Sequence, residues 1–147
     1  QWADMFDLSG AAIKPLDYHQ VLAVVTRLVN GGPLEALPKK RSDQTILLAL
    51  ASAGFAAARV YREDEVNDRL RAWLASFASP QGLDHVTFRR QLVDERFLLR
   101  NAAGAAYRIN CVKLAREIAE SARSIDPGAV LAAVRTRRDE RKRARAG

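Results

Sequence analysis

The stretch that decides the fold runs from Leu83 to Tyr107, LDHVTFRRQLVDERFLLRNAAGAAY. Val86, Phe88, Leu92 and Val93 recur at helical spacing, which predicts a helix from about Asp84 to Glu95. Asp84 stands in its first turn, where a carboxylate favours the helix dipole. Two short segments follow, Phe97–Arg100 and Ala105–Ile109, joined by Asn101-Ala102-Ala103-Gly104. Glycine closing a four-residue link between apolar segments predicts a β-hairpin.

The faces of that helix are chemically distinct. Arg89 falls in the middle of the apolar face, whereas Thr87, Arg90, Gln91 and Asp94 lie opposite. A guanidinium among buried side chains must be paired and hydrogen-bonded, because its desolvation is otherwise costly. Arg89 is therefore read as structural, with Glu63 as its first candidate partner and Asn67 as its second. Thr87, Arg90 and Gln91 are free to reach a base edge or a phosphate, and Asp94 on the same side would repel phosphate.

Upstream, Asp17 with Gln20 three residues on has the form of a capping box. It opens a helix whose Val21, Leu22, Val24, Val25, Leu28 and Val29 make one apolar side, stopped by Asn30-Gly31-Gly32-Pro33. The glycine pair has no preceding strand and no following Gly-Lys-Ser/Thr, so it terminates a helix and does not cradle phosphate. The basic triplet Lys39-Lys40-Arg41 precedes a helix capped by Ser42 or Asp43 and reaching about Ala53, with Ile46, Leu47, Leu50 and Ala51 inward. Arg59-Val60-Tyr61 reads as briefly extended. Glu63 to about Phe77 forms the next helix, with Val66, Leu70, Trp73, Leu74 and Phe77 on one side, and Ser79-Pro80-Gln81-Gly82 turns the chain into Leu83.

Downstream, Cys111 to Arg123 reads as one alanine-rich helix, with Cys111 as a small buried residue. Asp126-Pro127 is an N-cap and first-turn pair for a last helix carrying Val130, Leu131 and Val134, which fades into RTRRDERKRARAG. Helix then hairpin, with two helices upstream, is the order of a winged helix-turn-helix. The expected fold is mainly α: a winged helix-turn-helix with a two-stranded β-hairpin wing, flanked by N- and C-terminal helices. Its segments are an arm and helix over 1–33, the winged-helix-like domain over 34–110, C-terminal helices over 111–134 and a basic tail over 135–147. Trp2, Met5, Phe6 and Leu8 are too apolar for a free arm and are expected to dock on this chain or a neighbour.

At 147 residues, 48% hydrophobic and 28% charged, the chain has the make-up of a soluble globular protein. No apolar run approaches the ~20 residues of a membrane span, and the first residues lack the basic and apolar regions of a secretory signal. One cysteine forms no internal disulfide and fits a reducing cytoplasm. The net charge of +7 is uneven. Seven basic and two acidic residues from Arg135 onward carry +5 of it, leaving +2 for all that precedes. A high isoelectric point of this origin does not by itself make the body a nucleic-acid binder.

One set of residues runs Pro38-Lys39-Lys40-Arg41, then Tyr61-Arg62-Glu63-Asp64-Glu65-Val66-Asn67 with Leu70. Asp84, Phe88-Arg89-Arg90-Gln91-Leu92-Val93-Asp94, Leu98-Leu99-Arg100 and Gly104-Ala105-Ala106-Tyr107 complete it. Together they resemble a bacterial family known only as a domain of unknown function, often attached to transcription regulators of the arsenical-resistance-repressor type. The resemblance covers Leu37 to Arg108. It departs at Arg62, where a capping Thr is usual, and in the long link Ala75–Leu83. It implies a bacterial, transcription-related context and names neither ligand nor reaction.

The expectation for function is duplex-DNA binding in transcription control. Thr87, Arg90 and Gln91 would face the groove, Lys39, Lys40, Arg41, Arg100 and Arg108 the phosphates, and Arg137, Arg138 and Arg141 would add salt-sensitive attraction. The alternative is a protein-interaction or oligomerisation module, with a homodimer or another regulatory protein as partner. A third reading is RNA binding through the arginine-rich tail. His19 and His85 have no companions at metal-ligand spacing, and no nucleophile or nucleotide fingerprint is present. No enzyme, metal or cofactor is expected, and no effector is specified.

Overall fold

The computed structural model describes residues 14–146. The expected docking of Trp2, Met5, Phe6 and Leu8 lies outside the described residues. Helix α1 (Tyr18–Val29) begins with a capping box, as its sequence predicts: the Gln20 amide donates to Asp17 Oδ1 and the Asp17 amide to Gln20 Oε1, each at 2.9 Å. It buries Val21, Val25 and Val29.

Helix α2 (Arg41–Ala53) is the centre of the molecule. Every residue from Ile46 to Ser52 is buried, so the helix is covered all round and not on the single face expected. Its N-cap is Lys40, with no side-chain cap, and not Ser42 or Asp43. Asp43 is buried instead and accepts from Arg27 on α1, at 2.7 Å on Oδ1 and 3.1 Å on Oδ2. That fork holds α1 against α2, and the Asp43 carboxylate raises the Arg27 pKa by hydrogen bonding and by charge.

A short strand β1 (Tyr61–Arg62) leads straight into α3 (Glu63–Ala75), and α4 (His85–Asp94) follows, capped by Asp84. Strands β2 (Leu98–Arg100) and β3 (Ala106–Ile109) form the hairpin, with Gly104 at φ 73° in its turn. The sheet has three antiparallel strands in the order β1-β3-β2, not two. Tyr61 pairs with Tyr107, Leu98 with Ile109 and Leu99 with Arg108. The segment read as extended, Arg59-Val60-Tyr61, enters the sheet only at Tyr61–Arg62, and two residues carry too little alternation for their pairing to be read locally.

The link between α3 and α4 is strapped from outside. Leu34 donates to the Phe77 carbonyl at 2.9 Å and accepts from the Ser79 amide at 2.7 Å. Gly82 lies so close beneath this strap that an added Cβ would sit 1.8 Å from the Glu35 carbonyl oxygen. No side chain fits there without backbone movement. The core gathers Phe88 and Leu92 of α4, Leu70 and Leu74 of α3, and Tyr61, Phe97, Leu98 and Tyr107 from the sheet region, all buried.

The expected Cys111–Arg123 helix is broken. Helix α5 spans only Cys111–Glu117, Ile118 turns extended, and a 3-10 turn covers Glu120–Ala122. Leu16 reaches across to bond Glu117 and Ala119, making a bridge to Ile118 that competes with helix continuation. Cys111 is exposed, because the first turn of so short a helix buries only Leu114. Helix α6 (Pro127–Ala146) packs along α1 and does not fade after Val134.

Candidate nucleic-acid interface

Helix α4 is held at both ends and beneath. At its start, the Thr87 amide donates to Asp84 Oδ1 at 2.8 Å and the Thr87 hydroxyl to Oδ2 at 3.0 Å. These bonds, the amide foremost, draw the Asp84 carboxyl below its usual range. Thr87 is thus exposed, but its hydroxyl proton is committed to the cap and a carboxylate stands beside it. Arg90 and Asp94 are exposed and Gln91 is half-buried. Arg90 makes no ion pair among the described residues.

Beneath the helix, Arg89 is largely covered, at 17% side-chain exposure. It donates to Asn67 Oδ1, and its other terminal nitrogen lies 3.9 Å from Glu63 Oε1. Asn67 is therefore the direct partner and Glu63 the distant one, the reverse of the expected order. The reason is visible in Tyr107, whose hydroxyl donates to the same Glu63 oxygen at 3.0 Å. Glu63, Asn67, Arg89 and Tyr107 form one polar clasp tying the hairpin, α3 and α4 together. Four residues from three separated parts of the family-like pattern are thus assembled as framework.

Helix α4 ends in an unusual way. Phe97 donates to the Leu92 carbonyl and Arg96 to that of Val93, which leaves Arg96 in the left-handed region at φ 67°. Glycine is the common occupant of such a C-terminal position, since a Cβ is disfavoured there. Arg96 is exposed and unpaired among the described residues, and sequence reasoning passed over it because nothing local marks a non-glycine in that conformation.

The remaining cations differ in availability. Lys39 and Lys40 are exposed and unpaired among the described residues, whereas Arg41 reaches Glu95 at 3.1 Å with 81% of its side chain still exposed. So open a pair holds its arginine weakly. Arg100 and Arg108 are exposed and border one cleft of about 370 Å³ beside the sheet, with Val60 and Leu99.

Arg137, Arg138 and Arg141 stand on a preformed helix. At about 100° per residue, Arg135, Arg137, Arg138, Arg141, Lys142 and Arg145 share one side of α6, and Asp139, Glu140 and Arg143 take the other. The basic side continues the seam of Leu131 and Val134 at helical steps of four and three, to Arg138, Arg141 and Arg145. Arg138 bonds the Asn30 carbonyl at the end of α1, so the last eight residues extend about 12 Å past that support, at ~1.5 Å per residue.

The family model described as "Uncharacterized protein conserved in bacteria (DUF2087)" matches residues 33–109, more than half of the chain. The chain belongs to this family. The DUF2087 unit thus runs from the Leu34 strap to the end of β3, while α1, α5 and α6 lie outside it. No curated protein and no solved structure matches the chain. Within the DUF2087 unit lie the clasp, α4 and the hairpin; the basic helix is an addition to it. Among the described residues, no group of His, Cys, Asp and Glu could hold a metal ion, and no helix is long and apolar enough to cross a membrane.

Proposed function

We propose that this chain is a DNA-binding transcription regulator that uses a winged helix-turn-helix, working in the bacterial cytoplasm alongside regulators of the arsenical-resistance-repressor type. The observation that carries the reading is the order α2-β1-α3-α4-β2-β3 with strands arranged β1-β3-β2. In a protein of that layout α4 enters the major groove and the hairpin lies along the flanking backbone. Arg90, with Gln91 and Thr87, reads base edges, and arginine is the usual partner of guanine. Lys39, Lys40, Arg100 and Arg108 contact phosphates, with Arg41 joining when it releases Glu95. These contacts set register without reading sequence. The basic side of α6 supplies attraction that is independent of sequence and falls with salt.

The test is replacement of Thr87, Arg90 and Gln91 together by Ala, assayed on the best duplex from a random pool. Loss of preference for that duplex, with binding to random duplex retained, is the expected result. Unchanged preference would remove α4 from the groove.

A second reading is favoured by one feature: Asp84 and Asp94 are exposed at the two ends of α4, with Arg90 between them and Val86 37% exposed. Such a mixed face suits a protein partner or a second copy of the chain. Light scattering on the full chain with duplex DNA added separates the two, since a reader of palindromic sites joins the duplex as a dimer and an interaction module stays off it.

A further inference from the structure

A cleft of about 550 Å³ opens between the end of α2, α3 and the link that enters α6. That volume is in the range of small-molecule sites. Its walls are mostly apolar, with Leu50, Phe55, Trp73 and Ile125, and two arginines, Arg69 and Arg123, border it. Arg69 gives one nitrogen to the Gly54 carbonyl at 3.1 Å and rests over the rings of Tyr61 and Phe55 at 5.1 and 5.8 Å. Neither arginine makes an ion pair among the described residues. Arg123 Nε is covered and has no hydrogen-bond partner, the single buried side-chain polar atom so placed among them. Leaving a charged donor in that state costs free energy that an acceptor would recover. The one carboxylate at the rim, Asp126, takes the Gly128 amide at 3.0 Å and caps α6.

We propose that this cleft binds a small organic acid, its apolar or aromatic body against Trp73 and Phe55 and its carboxylate on Arg123 and Arg69. A carboxylate accepting along the Nε edge of Arg123 forms the two parallel bonds that guanidinium geometry favours. That edge is covered here, so on this proposal the guanidinium turns toward the cleft when the acid binds. Two guanidiniums against one committed carboxylate leave the site electropositive, so a neutral molecule of the same shape binds less well. The occupant touches both the DUF2087 unit, through α2 and α3, and the link into the basic helix. It is thus placed to bias how α6 is held, the position of a small-molecule effector site. The site itself does not depend on what α4 binds.

Benzoate serves as the probe, with benzyl alcohol as its neutral counterpart, titrated into the full isotope-labelled chain and followed by amide and arginine Nε–H resonances. The expected result is saturable shifts in residues 50–55, 69–76 and 123–126, a displaced Arg123 Nε–H signal, and benzyl alcohol weaker by about tenfold or more, the ~1.4 kcal/mol scale of one charge-assisted contact. Arg123→Gln and Arg69→Gln each weaken benzoate by a similar factor. Arg123→Lys recovers little, because an ammonium lacks the fork. If Arg123→Gln does not fold, Arg69→Gln and the Nε–H signal of the parent chain carry the test. No saturable shift, equal binding of benzyl alcohol, or shifts confined to α6 would each overturn the proposal.

Discussion

Helix α4 and the last three turns of α6 both present arginine to solvent, and they are built in opposite ways. Helix α4 is anchored by buried Phe88 and Leu92, capped by Asp84 and clasped through Arg89. Its outer face is mixed, with Arg90 between two exposed acids. Residues 135–146 of α6 bury nothing, touch the body through Arg138, and set six cations on one side with both acids on the other. A helix held at three points keeps side chains where a particular partner can be recognised. A protruding basic helix supplies attraction to any polyanion. On the proposed DNA-binding function, selectivity would reside in α4 and most of the affinity in α6.

Three substitutions sharpen the comparison, in order of expected effect. Arg89→Ala removes the charge-assisted bond to Asn67 and leaves that amide and Glu63 without the cation, at a cost of about 2 kcal/mol in denaturant unfolding. Sequence preference weakens with it, because α4 and the hairpin lose their common tie, whereas attraction to random duplex through α6 is retained. A stability change close to zero would show that the clasp does not set α4.

Arg96→Gly acts in the other direction. Relieving the left-handed arginine stabilises the chain by about 1 kcal/mol, since glycine adopts φ 67° without penalty. If DNA affinity falls while stability rises, the strained position is occupied by a contact residue. If both rise or affinity is unmoved, Arg96 belongs to the framework.

Asp84→Asn has the smallest effect and a definite sign. The folded pKa of Asp84 is lowered, first by the Thr87 amide. Its carboxylate therefore contributes stability that is present above the unfolded value of ~3.9 and is lost as pH falls through the lower folded value. Asparagine caps without titrating, so the acid limb of the stability profile becomes shallower while stability near neutral pH changes by less than about 0.5 kcal/mol. An unaltered acid limb would contradict the cap's role in it.

Local chemistry made the central elements legible. Asp84, the apolar spacing through Leu92 and the glycine of the hairpin turn act within a few residues, and the helix and both strands stand within a residue or two of the positions their sequence predicts. What escaped depends on distant chain. The Leu16 bridge interrupts an alanine-rich stretch whose propensity favours continuous helix, and Tyr61, legible as extended, finds its strand partner only in distant Tyr107. Asp43 has the type and position of a cap, yet Arg27 on another helix draws it inward. The site follows the same rule. Arg89 was readable as internal from its place on the apolar face, but the preference for Asn67 over Glu63 required knowing that Tyr107 already occupies Glu63. The helical state of residues 135–146 was hidden by a charge density that resembles a solvated tail.

The most direct test is fluorescence anisotropy with duplex DNA across a salt series, comparing the full chain with one ending after Val134. The account predicts that the shortened chain binds more weakly, with a salt slope shallower by roughly 0.9 for each phosphate that α6 no longer neutralises, yet keeps its preference among sequences. If all binding, or all preference, disappears with residues 135–147, α4 is not the reader and the division between the two helices is wrong.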